Sequence, residues 1–132
     1  MVDVRIDTRG VPKGPAYEEG PAVLHRAALT APDASDPAAA SVGVDCAGYR
    51  RVRFDIDTAG SSGLTALKVQ LLHWNAAADK YFRGAEREFT SAELAANPLP
   101  SLEVEVRGAR VFMKVVSATA ASLSLNVYAT PS

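Results

Sequence analysis

Arg51-Val52-Arg53-Phe54-Asp55-Ile56-Asp57 is the run on which the fold is decided. Val52, Phe54 and Ile56 alternate with charged Arg51, Arg53, Asp55 and Asp57, and a period of two marks a strand with one buried and one solvated face. Working outward, the same period recurs. In residues 65–74, Leu67, Val69 and Leu71 share one phase while Lys68 and Gln70 take the other; Leu102, Val104 and Val106 alternate with Glu103 and Glu105. Leu123, Leu125 and Val127 alternate with Ser124, Asn126 and Tyr128, and Val2, Val4 and Ile6 with Asp3, Arg5 and Asp7. Residues 22–30, 41–45, 82–89 and 111–116 also fit strands, which makes about eight or nine in all. Residues 75–80 read as a loop, Arg107-Gly108-Ala109 as a turn, and the small residues 117–122 as a bend. One helical signal interrupts: Thr90-Ser91-Ala92-Glu93 is a capping-box pattern ahead of Leu94-Ala95-Ala96, and Asn97-Pro98 stops it.

Strands at this spacing with almost no helix predict an all-β fold: an antiparallel β-sandwich, jelly-roll-like, with one short connecting helix. The core is expected to hold Val52, Phe54, Ile56, Val69, Leu71, Val104, Val106, Val111, Leu123 and Leu125. Two stretches break the pattern. Thr8-Arg9-Gly10-Val11-Pro12-Lys13-Gly14-Pro15-Ala16-Tyr17-Glu18-Glu19-Gly20-Pro21 and residues 31–41 are dense in Pro, Gly and Ala, and read as loops or an arm. Pro12, Pro15 and Pro21 remove amide donors, so the first cannot be a central strand. Neither divides the chain, and residues 1–132 are expected to form a single sandwich domain with an extended arm at 8–21.

Composition bounds the function. Of the 132 residues, 48% are hydrophobic, yet 24 are alanine, while Val, Ile, Leu and Phe number 31. That suffices for one core. A net charge of -1, from 14 basic and 15 acidic side chains, supplies no field to hold nucleic acid or an anionic membrane. No apolar run reaches the roughly 18–20 residues of a membrane span, and Met1-Val2-Asp3-Val4-Arg5 lacks a signal-peptide core, so the chain is expected to be soluble and made without export.

No catalytic pattern emerges. Cys46, the sole cysteine, excludes an internal disulfide, and with Asp45 beside it and no nearby base it reads as a buried, idle thiol. His25 and His73 stand on strands without metal-ligand spacing, so no metal or cofactor is expected. Gly60-Ser61-Ser62-Gly63 lacks the Lys and following helix of a phosphate loop. Asp55 with Asp57, Glu86 with Glu88, and Glu103 with Glu105 each share a face with arginines, which reads as the wet side of a sandwich. Arg51 and Arg53 are offset by the same aspartates. Trp74, Tyr81 and Phe82 flank one hairpin loop; aromatics so placed either pack a sheet end or stack on a sugar ring or a partner. Together with Pro12, Pro15 and Tyr17 of the arm they are the candidate contact residues.

Gly48-Tyr49-Arg50-Arg51-Val52-Arg53-Phe54-Asp55-Ile56-Asp57, Val69-Gln70-Leu71-Leu72-His73-Trp74-Asn75 with Tyr81, Gly108-Ala109-Arg110-Val111-Phe112-Met113-Lys114-Val115 and the terminal run from Leu123 to Tyr128 carry a resemblance. This texture resembles the small β-sandwich structural proteins of tailed-bacteriophage virions, such as capsid decoration or head and tail accessory subunits. The resemblance implies a non-enzymatic virion component, made in the host cytoplasm, that forms a homo-oligomer, a trimer first, and binds other virion proteins through an arm. The alternative is a carbohydrate-binding β-sandwich module using Trp74, Tyr81 and Phe82; a small hydrolase has no supporting spacing.

Overall fold

The alternating runs pair in nested order. A computed structural model describes residues 19–132, which form β1 (Val23–Leu29), β2 (Val44–Asp45), β3 (Arg51–Asp57), β4 (Ala66–Asn75), β5 (Lys80–Phe89), β6 (Ser101–Glu105), β7 (Arg110–Thr119) and β8 (Leu125–Pro131), with one helix, α1 (Ser91–Ala96). β4 pairs with β5, β3 with β6, β2 with β7 and β1 with β8, all antiparallel. Two further pairings, β3 with β8 and β4 with β7, roll this ribbon into two four-stranded sheets, β1-β8-β3-β6 and β2-β7-β4-β5. That order is a jelly-roll sandwich. The expected strand at residues 1–7 and most of the arm, with Pro12, Pro15 and Tyr17, lie outside the described residues.

Alternation decides the core. Val52, Phe54 and Ile56 of β3 are at most 1% exposed and meet Leu67, Val69, Leu71, Val111, Met113 and Val115 of the second sheet, with Leu125 and Val127 beside them. Val104, Val106 and Leu123 pack on this core but are only partly buried, because β6 is an edge strand and Leu123 precedes β8. Glu103 and Glu105 stay in water, so β6 alternates cleanly.

Several boundaries differ from the sequence reading. β5 begins at Lys80, which with Asn75 in β4 narrows the expected loop 75–80 to residues 76–79, and β8 begins at Leu125 rather than Leu123. Two others have a clear local cause. β7 continues to Thr119 where a bend was expected, since Ser117, Ala118 and Thr119 pair with Lys68, Leu67 and Ala66 past a bulge. Ladder pairing with a central strand overrides the weak strand preference of small residues. Residues 41–45 yield only a two-residue strand, because Ala40–Val42 form a 3-10 turn and the Gly43 N–H donates to Ala40 C=O. A Cβ at Gly43 would overlap the Tyr81 hydroxyl, which makes glycine obligatory at that approach. α1 has the expected capping box, with Glu93 N–H donating to Thr90 Oγ1 and Thr90 N–H to Glu93 Oε1; its Leu94 is buried.

Candidate interaction surface

β2 pairs with β7 only at Val44 with Val111 and Asp45 with Arg110, so β7 outlasts its neighbour. Unpaired ladder groups cost free energy when buried, and here side chains satisfy them. Met113 N–H donates to His25 Nε2 at 3.0 Å, and Val115 N–H donates to Asp33 Oδ2 at 2.8 Å. Asp33 N–H returns a bond to Val115 C=O at 2.8 Å. Arg26 Nη1 donates to Met113 C=O at 3.0 Å, and the guanidinium grips both Asp33 oxygens, at 2.9 and 2.6 Å, while lying 4.7 Å from the Phe112 ring centre. β1 can reach across because it is irregular: its register with β8 shifts twice, and Ala28 takes a positive φ of 47° with its N–H on Asn126 Oδ1.

The clasp is electrostatically set. His25 lies between the Phe54 and Phe112 rings, at 5.6 and 5.1 Å, and burial, aided by Arg26, pushes it down to about 4. It is neutral, with Nε2 free to accept. Burial would raise Asp33, but the Arg26 guanidinium and Val115 N–H hold it below the usual carboxylate range. Asp36 accepts Lys114 Nζ at 2.7 Å and Arg83 Nε at 3.0 Å, and these bonds hold its carboxyl low as well. The Pro/Ala-rich stretch 31–41 is thereby strapped over the outer face of the second sheet. Leu72, Tyr81 and Phe112 form a small buried cluster on that face.

The three aromatics do not share a face. Trp74 and Tyr81 are cross-strand partners with rings 4.9 Å apart, edge to face, and the Tyr81 hydroxyl donates to Ala40 C=O at 2.9 Å. Phe82 pairs with His73 instead and projects from the opposite side of β5, 50% exposed. Tyr81 is thus a buried strut, Trp74 flanks it half-buried, and no flat stacking platform is formed by the three.

The remaining chemistry-bearing groups are held in structural contacts. Cys46 is 1% exposed, and burial, then Asp45, pushes its thiol up to about 11. Arg51 bonds Glu103 at 2.8 Å across strands, Arg53 lies 3.2 Å from Asp55, and Ser101 Oγ donates to Asp55 Oδ1 at 2.6 Å. Ser61 Oγ donates to Ser124 C=O and accepts Ser124 N–H, closing a turn. Among the described residues no group of three or more His, Cys, Asp or Glu is placed to hold a metal ion.

What the fold leaves open is apolar. Where β1 and β2 part, Val23, Leu24 and Val42 are 40%, 53% and 46% exposed, and with Pro37, Val44 and Phe112 they line an open groove of about 740 Å³. A smaller hollow of about 280 Å³ continues it past Pro21, Tyr49 and Pro131. Asp45 and Arg110 also line the groove. Sequence reasoning did not single out Leu24, Val42, Arg26, Asp33 or Asp36. Arg26 is only seven positions from Asp33, but nothing local identifies Val115 and Lys114, some eighty positions away, as the other partners of Asp33 and Asp36.

No protein-family model and no curated protein matches the chain. Among solved structures the chain is similar to a carbohydrate-binding module described as specific for non-crystalline cellulose, with a TM-score of 0.36 and 13% identity over 66% of this chain. The match spans 58% of that module's length.

Proposed function

We propose that this chain is a non-enzymatic structural subunit that works by self-association, as a trimer, and by binding other subunits of a larger assembly, with the virion as its place of action. The single observation that carries the reading is the apolar groove at the β1/β2 seam, where Val23, Leu24 and Val42 are exposed together. Apolar patches rimmed by polar groups mark protein contact surfaces. A closed ring of identical subunits hides such a patch without leaving a free end. The virion-type assembly rests on the sequence resemblance, and Pro21 lines the hollow that continues this groove.

Sedimentation equilibrium on the chain and on Leu24→Asp and Val42→Asp tests it. A trimer that each aspartate converts to a folded monomer supports the reading. A wild-type monomer at high micromolar concentration overturns it, and retention on a sugar polymer that Trp74→Ala abolishes would move the function to the carbohydrate-binding alternative.

A further inference from the structure

His25 and Arg26 of β1, with Asp33 of the strap at 31–41, hold the side of β7 that β2 leaves unpaired. His25 Nε2 accepts Met113 N–H at 3.0 Å, so the ring is neutral with its proton on Nδ1. Arg26 Nη1 donates to the C=O of the same Met113 at 3.0 Å, and Asp33 both bonds Arg26 and accepts Val115 N–H. These groups form one chain of contacts. β1 touches β7 through His25, Arg26 ties β1 to the strap, and Asp33 returns the strap to β7 two residues further on.

A second proton on His25 is incompatible with this arrangement. It turns Nε2 into a donor facing the Met113 N–H and leaves a part-buried amide without its acceptor. It also adds a cation beside the Arg26 guanidinium, with Asp33 the opposing charge. The elements packed around the ring offer no further carboxylate: β3 contributes Phe54, β7 contributes Phe112, and β8 sets Val127 opposite Arg26. Asp45 of β2 and Arg110 of β7 line the same groove as the ring and are opposite in sign. The far end of the strap is anchored differently. Asp36 accepts Lys114 Nζ and Arg83 Nε, which hold its carboxyl low, and the Tyr81 hydroxyl donates to Ala40 C=O. Asp36 therefore keeps its charge between pH 7 and 5, and burial pushes the Tyr81 hydroxyl up, away from that range.

We propose that His25, Arg26 and Asp33 form an acid-opened latch: a proton on His25 frees β1 at residues 25–26, and the strap as far as Asp33, from β7, while Asp36 and Ala40 keep the far end of the strap docked. Opening withdraws His25 and Arg26 from the Phe112 ring, against which both now pack. It is a local opening, because it leaves the β3–β8 and β4–β7 ladders paired. The latch itself stands without the assembly reading. Its bearing on assembly rests on that reading: Val23 and Leu24 are on the strand that opens and line the groove with Phe112, so acid would take apart the surface proposed to be buried between subunits.

Hydrogen exchange at the Met113 and Val115 amides of the full chain is the test, since their acceptors are the latch's own side chains. Corrected for the intrinsic pH dependence of exchange, their protection is expected to fall about 20-fold between pH 7 and 5, the ratio required by a ring at about 4 when closed and 6.5 when open. These two amides should exchange through an opening with little urea dependence, at a free energy below that of the β4 ladder amides. His25→Gln keeps an acceptor for Met113 N–H and should cut the acid-induced fall to under about twofold. The same fall retained in His25→Gln overturns the inference, as does no fall in the wild-type chain. A urea slope and free energy shared with the β4 ladder overturn it as well, because the latch would then open only with the whole fold. The Leu24→Asp chain should show the wild-type fall whatever its sedimentation, so the latch and the trimer fail separately; a fall that vanishes in that chain overturns the latch.

Discussion

Lowering the pH from 7 to 4.5 should weaken the fold through His25, and the structure fixes both sign and size. The neutral ring is the form that accepts Met113 N–H, and its folded value is about 4 against an ordinary 6.5. Above pH 6.5 neither state is protonated, and the contribution is fully present. As pH falls through 6.5 the unfolded chain binds a proton that the folded chain refuses, so stability is lost down to about pH 4. At 1.36 kcal/mol per unit the whole window is worth about 3.4 kcal/mol, of which about 2.5 is gone by pH 4.5. Asp33, Asp36 and Glu93, all held low by their partners, begin to add their losses as pH falls into the ordinary carboxylate range and continue below it. His73, lowered by burial and Arg107, titrates in the same sense as His25, so the comparison must isolate one ring. His25→Gln does so, because its amide oxygen can accept the Met113 N–H without titrating. Urea unfolding followed by Trp74 fluorescence should show the pH 7 to 4.5 loss shrinking by about 2.5 kcal/mol in His25→Gln. An unchanged loss in that variant would refute the clasp's role.

Thr90→Ala removes the oxygen that accepts Glu93 N–H and should cost about 1 kcal/mol, read as a lower Tm with the sandwich intact. Cys46→Ser exchanges a fully buried thiol for a hydroxyl and should cost about 1 kcal/mol without changing the oligomeric state; the native thiol should resist alkylation until the chain unfolds.

The legible parts of the fold were those governed by a short period. Val52, Phe54 and Ile56 announce their burial because each is flanked by charge, and Thr90 with Glu93 announces a helix start within four residues. The strap was not legible. Asp33 meets Val115 across 82 positions and His25 meets Met113 across 88, and no periodic pattern encodes a contact between a proline-rich loop and the edge of a distant strand. Trp74, Tyr81 and Phe82 were legible as neighbours in sequence but not as members of two faces. Pairing with His73 sends Phe82 one way and pairing with Trp74 sends Tyr81 the other, so a cluster in the chain becomes a strut and a separate exposed ring.

Nested pairing also orders the molecule by stability. The β4–β5 hairpin closes a loop of four residues, whereas β1 must find β8 about a hundred residues later, so β1 and the strap carry the largest closure cost. They also pair least regularly, with two register shifts in β1 and side chains standing in for ladder partners along β7. The strand with the least regular pairing is therefore the one that presents Val23 and Leu24. In the proposed assembly, burying those residues against another subunit would stabilise an irregularly paired strand, and mass action would couple folding of β1 to assembly. His25 stands at that junction, packed on Phe54 of the core and bonded to β7. Its protonation loosens the strand on which the exposed apolar residues Val23 and Leu24 sit, which is the surface the proposed assembly would bury.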